Sequence, residues 1–311
     1  MPQSLSKETK NLLDKYKIQI NPSLDQHFLI DESVVKSIQK ALDMKQQDVL
    51  LEIGSGLGNI TKELITNKAI IVEIDKQLHI ILQEQLKDKQ FTLIKKSAYK
   101  YFQDQLKLQK EEPQKIHTEQ LNTKQLEKLN KKFNKIYSNI PFTAAESIFT
   151  LLPKINFEIS VFVIPEDFFN DVISNIIYEA FFNIEIIQKL DADMFYPVPD
   201  AKLMLIKITK IKECKDYADF IIRELYLQND KKLKNALRET LITFFEKYLN
   251  KKSTKNDVKQ IITLLSIDRK LLETDVNQIS LERLKIVIES LIEHIKGNYG
   301  LHLVKSKKLN Q

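Results

Sequence analysis

Cysteine is all but missing from this chain. Cys214 stands alone among 311 residues, so no intrachain disulfide can form, a cysteine-based zinc site is not expected, and no metal site is read from the sequence. Arginine is nearly as scarce: Arg223, Arg238, Arg269 and Arg283 are the full set, and lysine carries the remaining positive charge. That bias, with plentiful Asn and Ile, fits genomic base composition better than chemistry. There is no run of about 18 apolar residues, which predicts a chain without membrane-spanning helices. The segment Met1–Lys17 mixes lysines with Glu8 and Asp14 and lacks both an apolar core and an arginine-rich amphipathic pattern. It predicts neither a secretory leader nor an organellar transit peptide, and with the single cysteine it points to a cytoplasmic protein.

Apolar residues make up 43% of the chain, enough for a substantial core. Lys and Arg total 48 against 42 Asp and Glu, a net charge of +6. The surplus is compatible with a nucleic-acid partner without requiring one. The length suits one α/β domain of about 200 residues with a smaller partner.

The pattern along the chain is organised. Residues 5–17 predict a short helix, and Asp31 predicts the cap of a second, whose apolar positions Val34, Val35, Ile38, Ala41 and Leu42 recur at helical spacing. Apolar runs at 49–53, 69–74, 91–95, 135–138 and 159–164 then alternate with helical stretches at 58–67, 76–87 and 143–152. Such strand–helix units predict a parallel sheet covered on both faces. Two more strands are expected at 184–190 and 203–208, separated by a loop holding Pro197 and Pro199. From 215 onward the pattern is helical only, at 215–227, 230–249, 254–266 and 281–296. The expected organisation is a sheet domain over 1–209, interrupted by a polar insertion at about 103–132, and a helical domain over 210–311.

The chemistry is concentrated where strand 49–53 runs into Gly54-Ser55-Gly56-Leu57-Gly58. Glycines let a backbone turn sharply and approach a ligand closely. About twenty residues on, the next strand ends in Glu73-Ile74-Asp75, where an acid can accept from both hydroxyls of a ribose. The G-x-G-x-G spacing with Glu52 ahead of it differs from the dinucleotide G-x-G-x-x-G, and no P-loop Lys-Ser/Thr follows. An acidic approach suits S-adenosylmethionine, which has no phosphate but carries an amino-acid end and a sulfonium cation. After the fourth strand comes Ser138-Asn139-Ile140-Pro141-Phe142. Such a run offers hydrogen-bond acceptors for the N–H bonds of a bound group and a stacking surface for a planar ring. The Asn139 amide oxygen, the Ile140 carbonyl freed by Pro141, and the Phe142 ring supply these.

Together, Glu52 to Thr61, Val72 to Asp75 and Asn139 to Phe142 resemble the motifs of the ribosomal RNA adenine N6-dimethyltransferases. Asp25 to Asp31 resembles that family's Gln-x-Phe-Leu segment, Phe195 to Pro199 its Phe-x-Pro-x-Pro loop, and Asp230 to Leu237 the basic helix opening its C-terminal domain. The likeness spans roughly residues 20–240 in the family's order. It implies a class I methyltransferase fold, a Rossmann-like α/β sheet of about seven strands with a small all-helical C-terminal domain. It implies S-adenosyl-L-methionine as cofactor, with Gln26, His27 and Leu29 near its methionine end, Gly54, Gly56 and Gly58 in its loop, Glu73 on its ribose, and Glu52, Ile74, Ser97 and Asn139 around it. Asn139, Ile140, Pro141 and Phe142 would carry the transfer, and Lys231, Lys232, Lys234 and Arg238 would grip RNA. The implied activity is N6,N6-dimethylation of adenines in ribosomal RNA. The expected partner is the immature small ribosomal subunit and the expected state a monomer. The Gln-His-Phe-Leu form looks closer to the archaeal and eukaryotic small-subunit enzymes.

The chain also departs from that family. Ser97 stands where an acid usually meets the cofactor's adenine, and Thr143-Ala144-Ala145 follows Phe142 in place of a polar residue and Ile-Ser. Pro165 and Asp171 occupy the region of a family Gln and Arg, and a Gly-rich loop after the fifth strand is missing. These departures support a second reading, a non-catalytic or weakly catalytic RNA-binding assembly or transcription factor on the same scaffold.

Overall fold

The structure, a computed structural model, describes residues 4–111, 132–228 and 230–299. The chain separates into two compact units. One comprises Met1–Val172 with Asn183–Lys210, the other Ile173–Phe182 with Ile211–Gln311.

The first unit is built on a seven-stranded sheet. Its strands are β2 (Val49–Ile53), β3 (Lys68–Val72), β4 (Gln90–Ile94), β5 (Lys135–Asn139), β6 (Ile159–Pro165), β7 (Phe182–Leu190) and β9 (Leu203–Lys210), in the spatial order β4-β3-β2-β5-β6-β9-β7. The pairs from β4 to β6 are parallel, and β9 runs antiparallel to β6. Leu50, Leu51, Ile70, Ile71, Val161 and Val163 are fully enclosed, as expected of strands covered on both faces. From β2 the chain builds outward through β3 and β4, then returns to lay β5 on the other side of β2. This reversal of strand order opens a crevice beyond the carboxyl ends of β2 and β5, where open α/β sheets bind ligands.

A second, two-residue ladder lies beside that crevice. Strand β1 (Phe28–Leu29) pairs antiparallel with β8 (Phe195–Tyr196), Phe28 opposite Tyr196 and Leu29 opposite Phe195, and Ile30 N–H donates to the Met194 carbonyl at 2.8 Å. The Gln-His-Phe-Leu segment and the proline-rich loop thus fasten each other. Asp31 caps the helix Glu32–Leu42, accepting from Ser33 and Val34 N–H at 2.8 and 3.1 Å, and Val34, Val35, Ile38, Ala41 and Leu42 are buried. The N-terminal helix Leu5–Lys15 is pinned by Thr9, whose hydroxyl accepts from Asn59 Nδ2 at 2.7 Å between two buried residues.

The expected helix at 58–67 shrinks to Thr61–Leu64. Gly58 has φ +77°, so the chain is still turning there, and Ile65 is already extended. The expected polar insertion at about 103–132 opens within a helix. Residues up to 111 belong to the helix Ala98–Glu111, anchored by the fully buried rings of Tyr101 and Phe102; the rest of the insertion lies outside the described residues. The helices Glu166–Ile173 and Ile176–Phe181 are additions to the expected pattern.

The second unit holds helices Tyr217–Leu227, Leu233–Leu249, Lys255–Leu264, Arg269–Leu272 and Leu281–Tyr299. Leu237, Leu241, Phe244, Phe245, Ile288 and Leu291 are buried in it. Residues 173–182, expected in the sheet domain, cluster here because Ile177, Tyr178, Ala180 and Phe181 are buried and Arg223 Nε donates to the Ala180 carbonyl at 2.7 Å. Among the described residues no helix is long and apolar enough to cross a membrane.

Candidate active site

The loop after β2 passes through three glycines with φ of +68°, +59° and +77°. At Gly56 the Phe28 ring lies 3.0 Å from where a Cβ would stand, so a side chain would push the N-terminal segment off the loop. A Cβ on Gly58 would meet Leu82 Cδ2 at 2.9 Å; this glycine admits the helix Leu78–Gln85 rather than a ligand.

The crevice above this loop is a cavity lined by Gln26, His27, Leu29, Glu52, Gly54, Gly56, Glu73, Ile74, Ser97, Asn139 and Pro141, all expected site residues. Three of the expected cofactor and transfer residues do not line it. Gly58 faces Leu82. Ile140 puts its side chain in the core, 1% exposed, and its N–H on the Val163 carbonyl at 3.1 Å. Phe142 is half-buried, stacked on His27 with ring centroids 5.9 Å apart and planes 14° apart.

Glu73, at the end of β3, is buried. Its Oε2 accepts from Gly56 N–H at 3.1 Å and its Oε1 from Asp75 N–H at 2.8 Å. Burial raises its carboxyl above the usual range, partly offset by those backbone donors. Two lone pairs of this carboxylate fix it to the glycine loop, leaving others for a diol. Asp75 accepts from Gln26 Nε2 at 2.6 Å, while Gln26 Oε1 accepts from Asn21 N–H at 2.8 Å. The Gln26 amide is therefore a strut between the N-terminal segment and the end of β3.

Glu52, deeper in the cavity, is 2% exposed. Thr61 Oγ1 donates to its Oε1 at 3.0 Å, and its Oε2 is buried without a partner among the described residues. Burial, reinforced by the Glu73 charge, pushes this carboxyl up to about 8. Five buried side-chain oxygens lack a partner among the described residues, and three of them, Glu52 Oε2, Ser55 Oγ and Tyr137 Oη, belong to residues that line this cavity. Such groups are costly to leave unpaired, so their convergence marks the place of a polar ligand. Ser97 reaches the cavity but also accepts from Lys100 N–H at 3.3 Å at the start of the helix Ala98–Glu111.

At the end of β5, Asn139 Nδ2 donates to the His27 carbonyl at 2.7 Å. That bond sets the amide orientation and leaves Oδ1 with no donor among the described residues. His27 Nδ1 is bonded to the Pro197 carbonyl at 2.8 Å, so the proline loop, His27 and Phe142 form one supported stack. Asp25 Oδ2 accepts from Thr143 N–H at 3.0 Å and Thr143 Oγ1 at 2.8 Å, placing a carboxylate at the first turn of the helix Phe142–Phe149. Asp25 and Thr143 are site residues that the sequence alone does not reveal, because nothing in local spacing announces a partner 118 positions away; Ser55 and Tyr137 line the cavity as well, each within two positions of an expected residue.

In the helical unit, Lys231 is paired with Glu239, and Lys232 and Lys234 with Glu273, the Lys232 pair at 3.0 Å. The lysines expected to meet RNA thus each hold a glutamate. Arg238 is half-buried on the helix Leu233–Leu249, which also carries Lys234.

The family model for ribosomal RNA adenine dimethylase matches residues 17–275. A ribosomal RNA small subunit methyltransferase A of Clostridium botulinum (strain Kyoto / Type A2) is 29% identical over 220 residues, covering 66% of this chain and 72% of that protein. Its namesake in Borreliella burgdorferi (strain ZS7) is 28% identical over 279 residues, covering 82% and 91%. A dimethyladenosine transferase structure from Plasmodium falciparum superposes with a TM-score of 0.50 at 16% identity, covering 87% of this chain and 98% of that one; at that identity it shows the fold alone. These comparisons show the family and leave the expected archaeal and eukaryotic subtype unresolved. With its motifs assembled at one crevice and the family pattern matched over most of its length, the chain belongs to the ribosomal RNA adenine dimethylase family.

Proposed function

We propose that the chain dimethylates the N6 amine of adenines in small-subunit ribosomal RNA, acting in the cytoplasm as a monomer on the immature subunit. S-adenosyl-L-methionine, the family's cofactor, supplies an electrophilic methyl group when bound. The residues present fit it: glycine backbone beside the cavity, the Glu73 carboxylate for the ribose, and unpaired buried oxygens on Glu52, Ser55 and Tyr137 for the polar amino-acid end. In this reading Gly54 and Gly56 let the backbone approach, and Ile74, 52% exposed at the cavity rim, offers an apolar face to the adenine ring.

The observation that carries the reading is the locked amide of Asn139. With Nδ2 committed to His27, Oδ1 is the acceptor left for the target amine. Adenine N6 is a poor nucleophile because its lone pair is delocalised into the ring. An acceptor on its N–H favours a pyramidal nitrogen whose lone pair can meet the methyl carbon. Ile140 would add its backbone carbonyl, next to a proline that cannot donate. Phe142, supported on one side by His27, would extend the stack to the target base, worth about 1–3 kcal/mol. Lys231, Lys232, Lys234 and Arg238 would hold RNA phosphates by exchanging exposed glutamate partners, which cost little to release.

The test is Asn139→Ala. Turnover should vanish or fall at least about a hundredfold, on the scale of removing one acceptor aimed at the transition state, while cofactor affinity stays within a few-fold of wild type. Wild-type turnover in Asn139→Ala would overturn the catalytic assignment.

A further inference from the structure

Tyr137 belongs to no motif that identified this site, yet it is the most conspicuous unpaired group in the cavity. It lies on β5 directly in register with Glu52 on β2. Residues paired across neighbouring strands project to the same face of the sheet, and both line the cavity. Each is 2% exposed. Glu52 Oε2 and Tyr137 Oη both lack a hydrogen-bond partner among the described residues. A fold that merely needed bulk at 137 would be served by phenylalanine, without an unsatisfied hydroxyl.

The cofactor offers few groups to such a pair. Its α-carboxylate would add a second acid beside Glu52 and hold that carboxyl in its protonated form, whereas a cation there draws the proton off and pairs with the carboxylate. Its sulfonium has no N–H to satisfy either oxygen, and its ribose hydroxyls are taken by Glu73 in the proposed cofactor site. The α-ammonium alone has several N–H bonds and a positive charge, and can donate to a carboxylate and a phenol oxygen at once. We propose that Glu52 Oε2 and Tyr137 Oη together seat the α-ammonium of the cofactor's amino-acid end, which makes Tyr137 a cofactor-binding residue. This rests on the cavity being the S-adenosylmethionine site. Burial, with the Glu52 charge, pushes the Tyr137 phenol up, so it stays neutral and acts through its oxygen lone pairs rather than as a second anion. The titratable groups facing Glu52 are Glu73 and Tyr137.

The experiment is calorimetric binding of three probes to wild type and Tyr137→Phe. S-adenosylmethionine carries both ammonium and carboxylate, its decarboxylated form keeps only the ammonium, and methylthioadenosine lacks the amino-acid end. Tyr137→Phe should weaken the first two alike, by roughly 10- to 100-fold for one hydrogen bond to a charged group, and leave methylthioadenosine unchanged. The unfolding midpoint of the free protein should stay or rise, because the variant removes an unpaired buried hydroxyl. Weakening of S-adenosylmethionine alone would mean that Tyr137 meets the carboxylate and would overturn the ammonium seat. Equal weakening of all three would reduce Tyr137 to structural support, and no weakening would remove it from the site; in both cases the cofactor site stands and this assignment falls. Wild type binding none of the probes would bring down the cofactor site and the seat together.

Discussion

Glu52 makes the cofactor-free protein's stability depend on pH in a direction opposite to ordinary acid denaturation. Its carboxyl is raised from the usual 4.5 to about 8, chiefly by burial, with the Thr61 hydroxyl opposing and the Glu73 charge adding. Between those values the folded protein keeps a proton that the unfolded chain has lost. The contribution is fully present below 4.5 and disappears as pH rises through about 8. At about 1.4 kcal/mol per pH unit, the whole window is worth up to about 5 kcal/mol, and the span from about pH 5.5 to about pH 8 is worth about 3 kcal/mol. Glu52→Gln keeps an oxygen for Thr61 and removes the titration. Urea unfolding of the cofactor-free protein at both pH values measures the effect. Across that span wild type should lose about 3 kcal/mol more than Glu52→Gln. Glu73 is raised in the same direction, but it is common to both proteins and cancels in the comparison. Parallel pH profiles for the two proteins would refute the buried, proton-holding carboxyl.

Three further outcomes are expected. Glu73→Ala removes charge-assisted bonds of roughly 1.5–3 kcal/mol each and should lower S-adenosylmethionine affinity by one to three orders of magnitude in calorimetry while the protein stays folded. Gly58→Ala, at φ +77° with Leu82 in the way, should cost about 1–3 kcal/mol in chemical denaturation. Replacing Lys231, Lys232, Lys234 and Arg238 together should flatten the salt dependence of RNA binding by roughly 0.7–0.9 log units for each phosphate no longer neutralised; an unchanged slope would exclude these four residues as phosphate ligands.

What could be read from the sequence was what local pattern encodes. The strands 49–53 and 159–164, the Asp31 cap and the glycine loop follow from periodicity and residue type within a few positions. The helix expected at 58–67 failed because Gly58 spends its freedom on a turn and Asn59 is tied to Thr9, 50 positions away. The helix Ile176–Phe181 is absent from the expected pattern because its packing in the second unit depends on Arg223 and residues beyond 210. At the site, the motifs named the residues that touch the cavity and missed what aims them. Asn139 is oriented by the His27 backbone, Gln26 is consumed as a strut, and Glu273 answers two lysines from about 40 positions away.

Methyl transfer itself can be read out directly. Undermethylated small ribosomal subunits are incubated with the protein and radiolabelled S-adenosylmethionine, and their RNA is digested to nucleosides. Label should appear in N6,N6-dimethyladenosine with wild type and be absent with Asn139→Ala. Wild type that binds the cofactor yet transfers no label to small-subunit RNA would contradict the account and leave the chain an RNA-binding factor on a methyltransferase scaffold.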